Sequence, residues 1–311
     1  MSFNDSQTFL NPADPASTTP ILDFGPPKLE VDHPSACGEG PLWNTDDQSA
    51  YWVDIPAGQL FRYNPASGSN ELIYQDDGQI GGYTFQSDGS ILLFGTGGKI
   101  LRWTPTSVDV VVESIPGEKD SRFNDVVAAP DGGVFCGTMP TDTHLASLYR
   151  LAPNGSITRI YEDIGLSNGF GFSPDNSILY YTDSNSRIIY AIDYDSENGD
   201  LTNRRVLVRT PDDESVPDGM TTDADGFIWS ARWDGRALYK YSPQGEELGK
   251  VVFPVRKISS IAFGGPDLAT AWVTTAGGDN RGDIEGPLAG SLFSIDLGVT
   301  GRAPFRSRIG V

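Results

Sequence analysis

One short unit recurs six times along this chain, and a repeat of that length leaves few folds open. Aligned on the turn residues Asp46, Asp88, Asp131, Asp175, Asp225 and Asp267, the units follow one another at spacings of 42, 43, 44, 50 and 42 residues. Each begins with a short strand and a turn such as Ser87-Asp88-Gly89 or Pro130-Asp131-Gly132. An apolar second strand follows, then a third with an aliphatic–aromatic beat, as in Leu60-Phe61-Arg62-Tyr63 and Leu148-Tyr149-Arg150-Leu151. A more variable fourth strand, such as Glu71-Leu72-Ile73-Tyr74, closes the unit. Asp-Gly and Pro-Asp pairs supply the backbone conformations that hairpin turns require. Four strands at a period in the forties is the signature of a propeller blade. The expected fold is therefore all-β, a six-bladed β-propeller with four-stranded antiparallel blades. A β-sandwich would not repeat itself six times.

The sixth unit runs short of chain after Leu297. Leu29-Glu30-Val31 is expected to supply its outer strand, which would join the two chain ends and remove open sheet edges. Residues 1–25 are rich in Ser, Thr, Pro, Asn and Asp, lack periodicity, and read as a flexible arm. Residues 26–311 read as the propeller domain.

The formal charge of −20 argues against nucleic-acid phosphates and anionic membranes as partners. No stretch approaches the roughly 18 apolar residues of a membrane span. The N-terminus is polar and acidic, without the basic and apolar regions of a signal peptide, so a cytoplasmic protein is expected. Two cysteines, Cys37 and Cys136, exclude a disulfide framework and read as free thiols. A monomer or homodimer is expected.

Seven residues before each turn aspartate stand Glu39, Gly81, Asn124, Asn168, Asp218 and Ser260. Equivalent positions of a closed ring surround its axis, so Glu39, Asn124, Asn168 and Asp218 are expected to converge at the channel mouth. Two carboxylates and two amides form a donor set for a hard divalent cation. Neither His33 nor His144 falls at a donor position, which disfavours a structural zinc site. Glycine follows three of the four donors, where it would permit close approach of backbone or an unusual φ.

The segments Gly38-Glu39-Gly40-Pro41-Leu42-Trp43, Ser121-Arg122-Phe123-Asn124-Asp125, Leu166-Ser167-Asn168-Gly169-Phe170 and Val216-Pro217-Asp218-Gly219-Met220 resemble the senescence marker protein / gluconolactonase / luciferin-regenerating enzyme family. With Val53-Asp54-Ile55-Pro56, Cys136-Gly137-Thr138-Met139, Asn203-Arg204-Arg205 and Ala262-Phe263-Gly264-Gly265, the resemblance covers about residues 30–300. It implies a regucalcin-like six-bladed propeller that binds one divalent metal in its channel and hydrolyses sugar lactones. The implied ligands are Glu39, Asn168 and Asp218, with calcium first and Mg, Mn, Zn or Fe as alternatives. Asn124 matches a position given to substrate or the outer sphere of the metal, and Arg122 matches the family's substrate-binding Arg. Sugar-lactone members often carry Glu three residues after the Thr-Met pair, where this chain has Asp142.

As chemistry, a cation-bound lactone carbonyl is more open to attack by water, and a carboxylate beside it can take the proton. Asp218 is the choice for that base, because it can touch metal and water together. Glu39 would then neutralise charge, although the sequence leaves the two roles exchangeable. Arg122, two residues from Asn124 on a strand, is expected to face the same side and hold substrate hydroxyls. Asp142 is expected on the rim. Tyr83, Phe170 and Trp233 are candidates for pocket walls. The competing readings are an esterase or phosphotriesterase on the same metal site, and a calcium-binding propeller without chemistry.

Overall fold

The computed structural model describes residues 19–311. Most of the expected arm, residues 1–18, lies outside the described residues. Among the described residues the chain forms 24 strands and one helical turn, Gly278–Asn280. No helix among them is long and apolar enough to cross a membrane.

The strands make six four-stranded antiparallel sheets in a ring. The innermost strands are Gly38–Asn44, Ile80–Phe85, Phe123–Ala128, Ser167–Phe172, Val216–Thr222 and Lys257–Gly264. Second strands such as Ser49–Asp54 and Ile91–Gly95 are almost wholly buried, because neighbouring blades cover both their faces. Outer strands such as Ser69–Gln75 and Ser107–Val112 are largely exposed, which explains their looser pattern. Core clusters run between adjacent blades. Trp229, Val251, Phe253, Ile261, Val273 and Phe293, for example, come from the fifth and sixth.

The turn aspartates that set the alignment have a local role. The Oδ1 atoms of Asp88, Asp175 and Asp267 accept the N–H two residues on, from Ser90, Ser177 and Ala269, at 2.9, 3.1 and 3.2 Å. An Asp side chain that caps the turn in this way favours the reversal wherever it recurs.

The ring closes as the sequence leads one to expect. The strand Lys28–Val31 is the outer strand of the last blade, with Lys28 opposite Ser294 and Leu29 opposite Phe293. Glu30 accepts hydrogen bonds from Ser294 Oγ at 2.6 Å and from Tyr63 Oη of the first blade at 2.9 Å. Just before it, Leu22 N donates to Lys250 O and Lys250 N donates to Pro20 O, each at 2.8 Å, so the described end of the arm lies along the fifth blade.

The C-terminal segment closes the face opposite the donors. Thr300 O accepts from Ala224 N, and Arg302 donates to Ser173 O and Asn176 Oδ1. Ser307 N donates to Phe85 O, Arg308 to Asp131 O, and Arg306 pairs with Asp46. Gly301 N donates to Leu268 O, so the segment touches every blade. Arg302, Ala303, Pro304 and Phe305 floor an axial cavity of about 140 Å³ that lies inside the inner strands.

Candidate metal centre and active site

Each donor position sits where its inner strand slips by one residue against the second strand. Glu39 is opposite Val53, and the next pair is Leu42–Tyr51. Asn168 is opposite Thr182, and the next pair is Phe170–Tyr181. The ladders slip likewise between Phe123 and Val126, and between Pro217 and Met220. A β-bulge breaks strict alternation and re-aims side chains, so a repeated bulge turns the same position of each blade toward the axis.

Two aspartates fix the chain just before donor strands. Asp54 accepts the N–H groups of Ala36 and Cys37 at 3.2 and 3.0 Å. Asp183 does the same for Gly165 and Leu166 at 3.1 and 3.0 Å. The glycines after the donors serve two needs. Gly40 has φ +57, a region that side chains disfavour. At Gly169, a Cβ would stand 2.4 Å from Asp218 O of the next blade, so absence of a side chain lets inner strands close up.

Glu39 and Asp218 are each only 4% exposed. Burial pushes both carboxyls well above their ordinary range. The Asp218 charge raises Glu39 further, and Asp125 raises Asp218 further. Opposing this, Gly40 N donates to Glu39 Oε2 at 3.0 Å, and Asn168 and Gly219 N donate to Asp218. The Arg122 guanidinium acts on both carboxylates from a distance. Its Nη1 donates to Phe123 O and to Asn124 Oδ1, both at 2.8 Å.

The two amides differ. The Asn124 carbonyl oxygen is engaged by Arg122, and its Nδ2 donates to Ser167 O at 2.9 Å. Asn168 Nδ2 donates to Ser184 Oγ at 3.1 Å, while its oxygen accepts only a 3.3 Å bond from Gly169 N. Asn168 thus has the freer oxygen to join Glu39 and Asp218. Among the described residues no three His, Cys, Asp or Glu side chains form a metal cage. The set here is two carboxylates and an amide oxygen, with solvent to complete the shell. Two buried carboxylates without a cation in contact fit a divalent ion, since burial of unpaired charge is costly.

A pH dependence follows. Carboxyls raised above their ordinary 4.5 and 3.8 hold more protons in the folded than in the unfolded chain. The cation-free protein is therefore expected to lose stability as pH rises above about 4.5, through the raised folded values. A bound cation displaces those protons, so the stabilisation it gives is expected to grow with pH. Melting temperatures of chelated and calcium-loaded protein from pH 5 to 8 check this; a gap independent of pH would contradict it.

Asp142 is exposed in the turn 141–144, in which Thr141 N donates to His144 O at 2.8 Å. Tyr83 and Phe170 line the axial cavity below the donors as well as the core. Trp233 is half-buried at the other end, with Lys257 Nζ 5.6 Å from its ring centre. Sequence reasoning passed over Asp125. It lines the axial cavity, and burial pushes its carboxyl up to about 7 against the pull of Arg122 and the Gly169 N–H. A signal existed in the column after the donors, which reads Gly40, Gly82, Asp125, Gly169, Gly219 and Ile261. Cys37, a free thiol as the sequence indicates, lies within electrostatic reach of Glu39, Arg122 and Asp218.

Residues 37–277 match the model of the SMP-30/gluconolactonase/LRE-like region. The chain is 42% identical to pentonolactonase XacC of Haloferax volcanii over 288 residues, covering 90% of this chain and 97% of that one. It is 35% identical to human regucalcin over 280 residues, 86% of this chain and 94% of that protein. Among solved structures it is similar to a luciferin-regenerating enzyme, with a TM-score of 0.83, 28% identity, and coverage of 92% and 100% of the two chains.

Proposed function

Since the chain belongs to the SMP-30/gluconolactonase/LRE-like family, we propose that it hydrolyses sugar lactones to aldonic acids in a divalent-cation-dependent reaction. The observation that carries this reading is the pair of buried carboxylates, Glu39 and Asp218, at the axis with Asn168 and Arg122 beside them. The relative named a pentonolactonase supports five-carbon sugar lactones alongside gluconolactone. Calcium is the first cation to test, with magnesium and manganese next, because the donors are all oxygens.

A cation held by Glu39, Asn168 and Asp218 would polarise the lactone carbonyl and offset charge that develops on its oxygen. Asp218 takes the proton of the attacking water as general base. The water oxygen bonds to the carbonyl carbon, the ring C–O bond breaks, and the released alkoxide regains a proton. Glu39 lowers the net charge of the bound cation. Arg122 holds substrate hydroxyls, because N–H groups beyond the two bonds of its Nη1 find no partner among the described residues. Asn124, fixed between Arg122 and Ser167 O, keeps that guanidinium in place. Asp142 is assigned to the rim, where a carboxylate one methylene shorter than Glu would accept a hydroxyl of the sugar.

The test is acid release from xylonolactone, arabinonolactone and gluconolactone, with the stripped protein and with each cation restored. Turnover only with a divalent cation is expected. Turnover that persists after thorough chelation would contradict the proposal, and calcium binding without turnover on any lactone or ester would leave a calcium-binding propeller. In the same assay Arg122→Ala is expected to raise KM by about 10- to 100-fold with a smaller fall in kcat, since hydrogen bonds from a charged group are worth ~1.5–3 kcal/mol.

A further inference from the structure

The bulge in the third blade carries two polar side chains, whereas the same two-against-one bulge in the fifth pairs Asp218 with Gly219. Asn124 and Asp125 both fall between the pairs Phe123–Thr138 and Val126–Cys136, so together they face Gly137. Consecutive strand residues normally point to opposite faces, and a bulge suspends that rule. Asn124 engages Arg122 and Ser167 O, while Asp125 lines the axial cavity. At the same level four of the other blades carry glycine and one carries Ile261, so Asp125 is the single polar side chain of its tier. The Gly169 N–H donates to its carboxylate.

Asp125 is set apart from the ligand set by its place: it lines the cavity, which Glu39, Asn168 and Asp218 do not, and its carboxylate takes the Gly169 N–H. It is nevertheless within electrostatic reach of Glu39, Asp218 and Arg122. Three carboxylates and one guanidinium leave two negative charges, which one divalent cation neutralises. A monovalent cation would leave one uncompensated in a buried site. The cavity beneath, about 140 Å³, has room for several waters against this carboxylate.

We propose that Asp125 is the positioning residue that sets cation affinity from below: a third carboxylate, outside the ligand set, which supplies the charge that makes the site divalent-selective. This rests on the cation site of the proposed function, though not on the lactone reaction. The residues of a metal's outer shell commonly govern affinity by about 10- to 100-fold, by charge and by orientation of what touches the ion.

Asp125→Asn tests it, as the amide keeps an oxygen for the Gly169 N–H and removes only the charge. Calcium is titrated into stripped full-length protein by calorimetry, without substrate. The variant is expected to bind calcium ~10- to 100-fold more weakly, to discriminate less against sodium, and to melt higher than the stripped parent because one of three repelling carboxylates is gone. The exposed Asp109→Asn, which removes the same charge far from the axis, is expected to change neither quantity. Unchanged calcium affinity in Asp125→Asn, or a lower melting temperature of the stripped variant with affinity intact, overturns the proposal. So does a parent that binds no divalent cation. If calcium affinity falls as expected while no lactone is hydrolysed, the charge role stands and the proposed reaction fails.

Discussion

Asp218→Asn is expected to lower lactone turnover by ~10²–10⁴-fold, the range for loss of a positioned general base. The substitution keeps the size of the side chain and an oxygen for Asn168 and the Gly219 N–H, so the inner strand should hold its course. What disappears is the charge. The neutral amide cannot take a proton from water, and it is a poorer donor to a hard cation. Because burial and the neighbouring Asp125 already oppose ionisation of Asp218, the stripped variant should melt at or above the temperature of the stripped parent. Catalysis and stability would thus move in opposite directions, which a misfolded variant cannot imitate. Kinetics at saturating calcium, with melting curves alongside, read both. A variant with parental kcat would transfer the role of base to Glu39, the other buried carboxylate of the pair.

Deletion of residues 1–31 is expected to abolish cooperative folding. The lost strand pairs with the last blade at Lys28–Ser294, Leu29–Phe293 and Val31–Leu292. It also carries Glu30, which ties Ser294 of the last blade to Tyr63 of the first. Burial pushes the Glu30 carboxyl up, but hydrogen bonds from Ser294, Lys28 and Tyr63 outweigh it and hold the group below its ordinary range. Burial of Val31 is worth about 1.5–3 kcal/mol, and each hydrogen bond to a charged carboxylate ~1.5–3 kcal/mol. Together these approach the ~5–15 kcal/mol that separates folded from unfolded chains. The deletion also bares the edge of Leu292–Asp296, a template for association. Calorimetry and sedimentation check the outcome; a cooperative transition within a few degrees of the parent's would show that the ring closes without this strand. Removal of residues 1–25 alone keeps the strand and should cost far less; the backbone bonds described for residues 19–25, such as Leu22 N to Lys250 O, run along the fifth blade.

Much of the fold was legible because its information is local and repeated. The turn aspartates mark reversals by bonding to N–H groups two residues on, which needs no distant partner. The shortage of chain after Leu297 and the apolar Leu29-Glu30-Val31 together indicated the closing strand. The C-terminal floor was not legible, for Arg302 to Phe305 carry no strand pattern. Their place follows from the hydrogen bonds and the ion pair that residues 300–308 as a whole make to all six blades. The glycines after Asn168 and Asp218 point to close backbone approach, and the structure shows that what approaches is the adjacent inner strand.

By itself the sequence determined the repeat, its blade and the column that brings Glu39, Asn124, Asn168 and Asp218 to one level, because equivalent positions in a ring share a distance from the axis. Tertiary structure decided what that column means at each blade. Only packing of neighbouring blades engages Asn124 with Arg122 while leaving the oxygen of Asn168 freer, and only a two-residue bulge turns Asp125 inward beneath them. The physical reason is that strand period and turn chemistry act within a few residues, whereas desolvation and the fields of other charges depend on everything the fold places around a group.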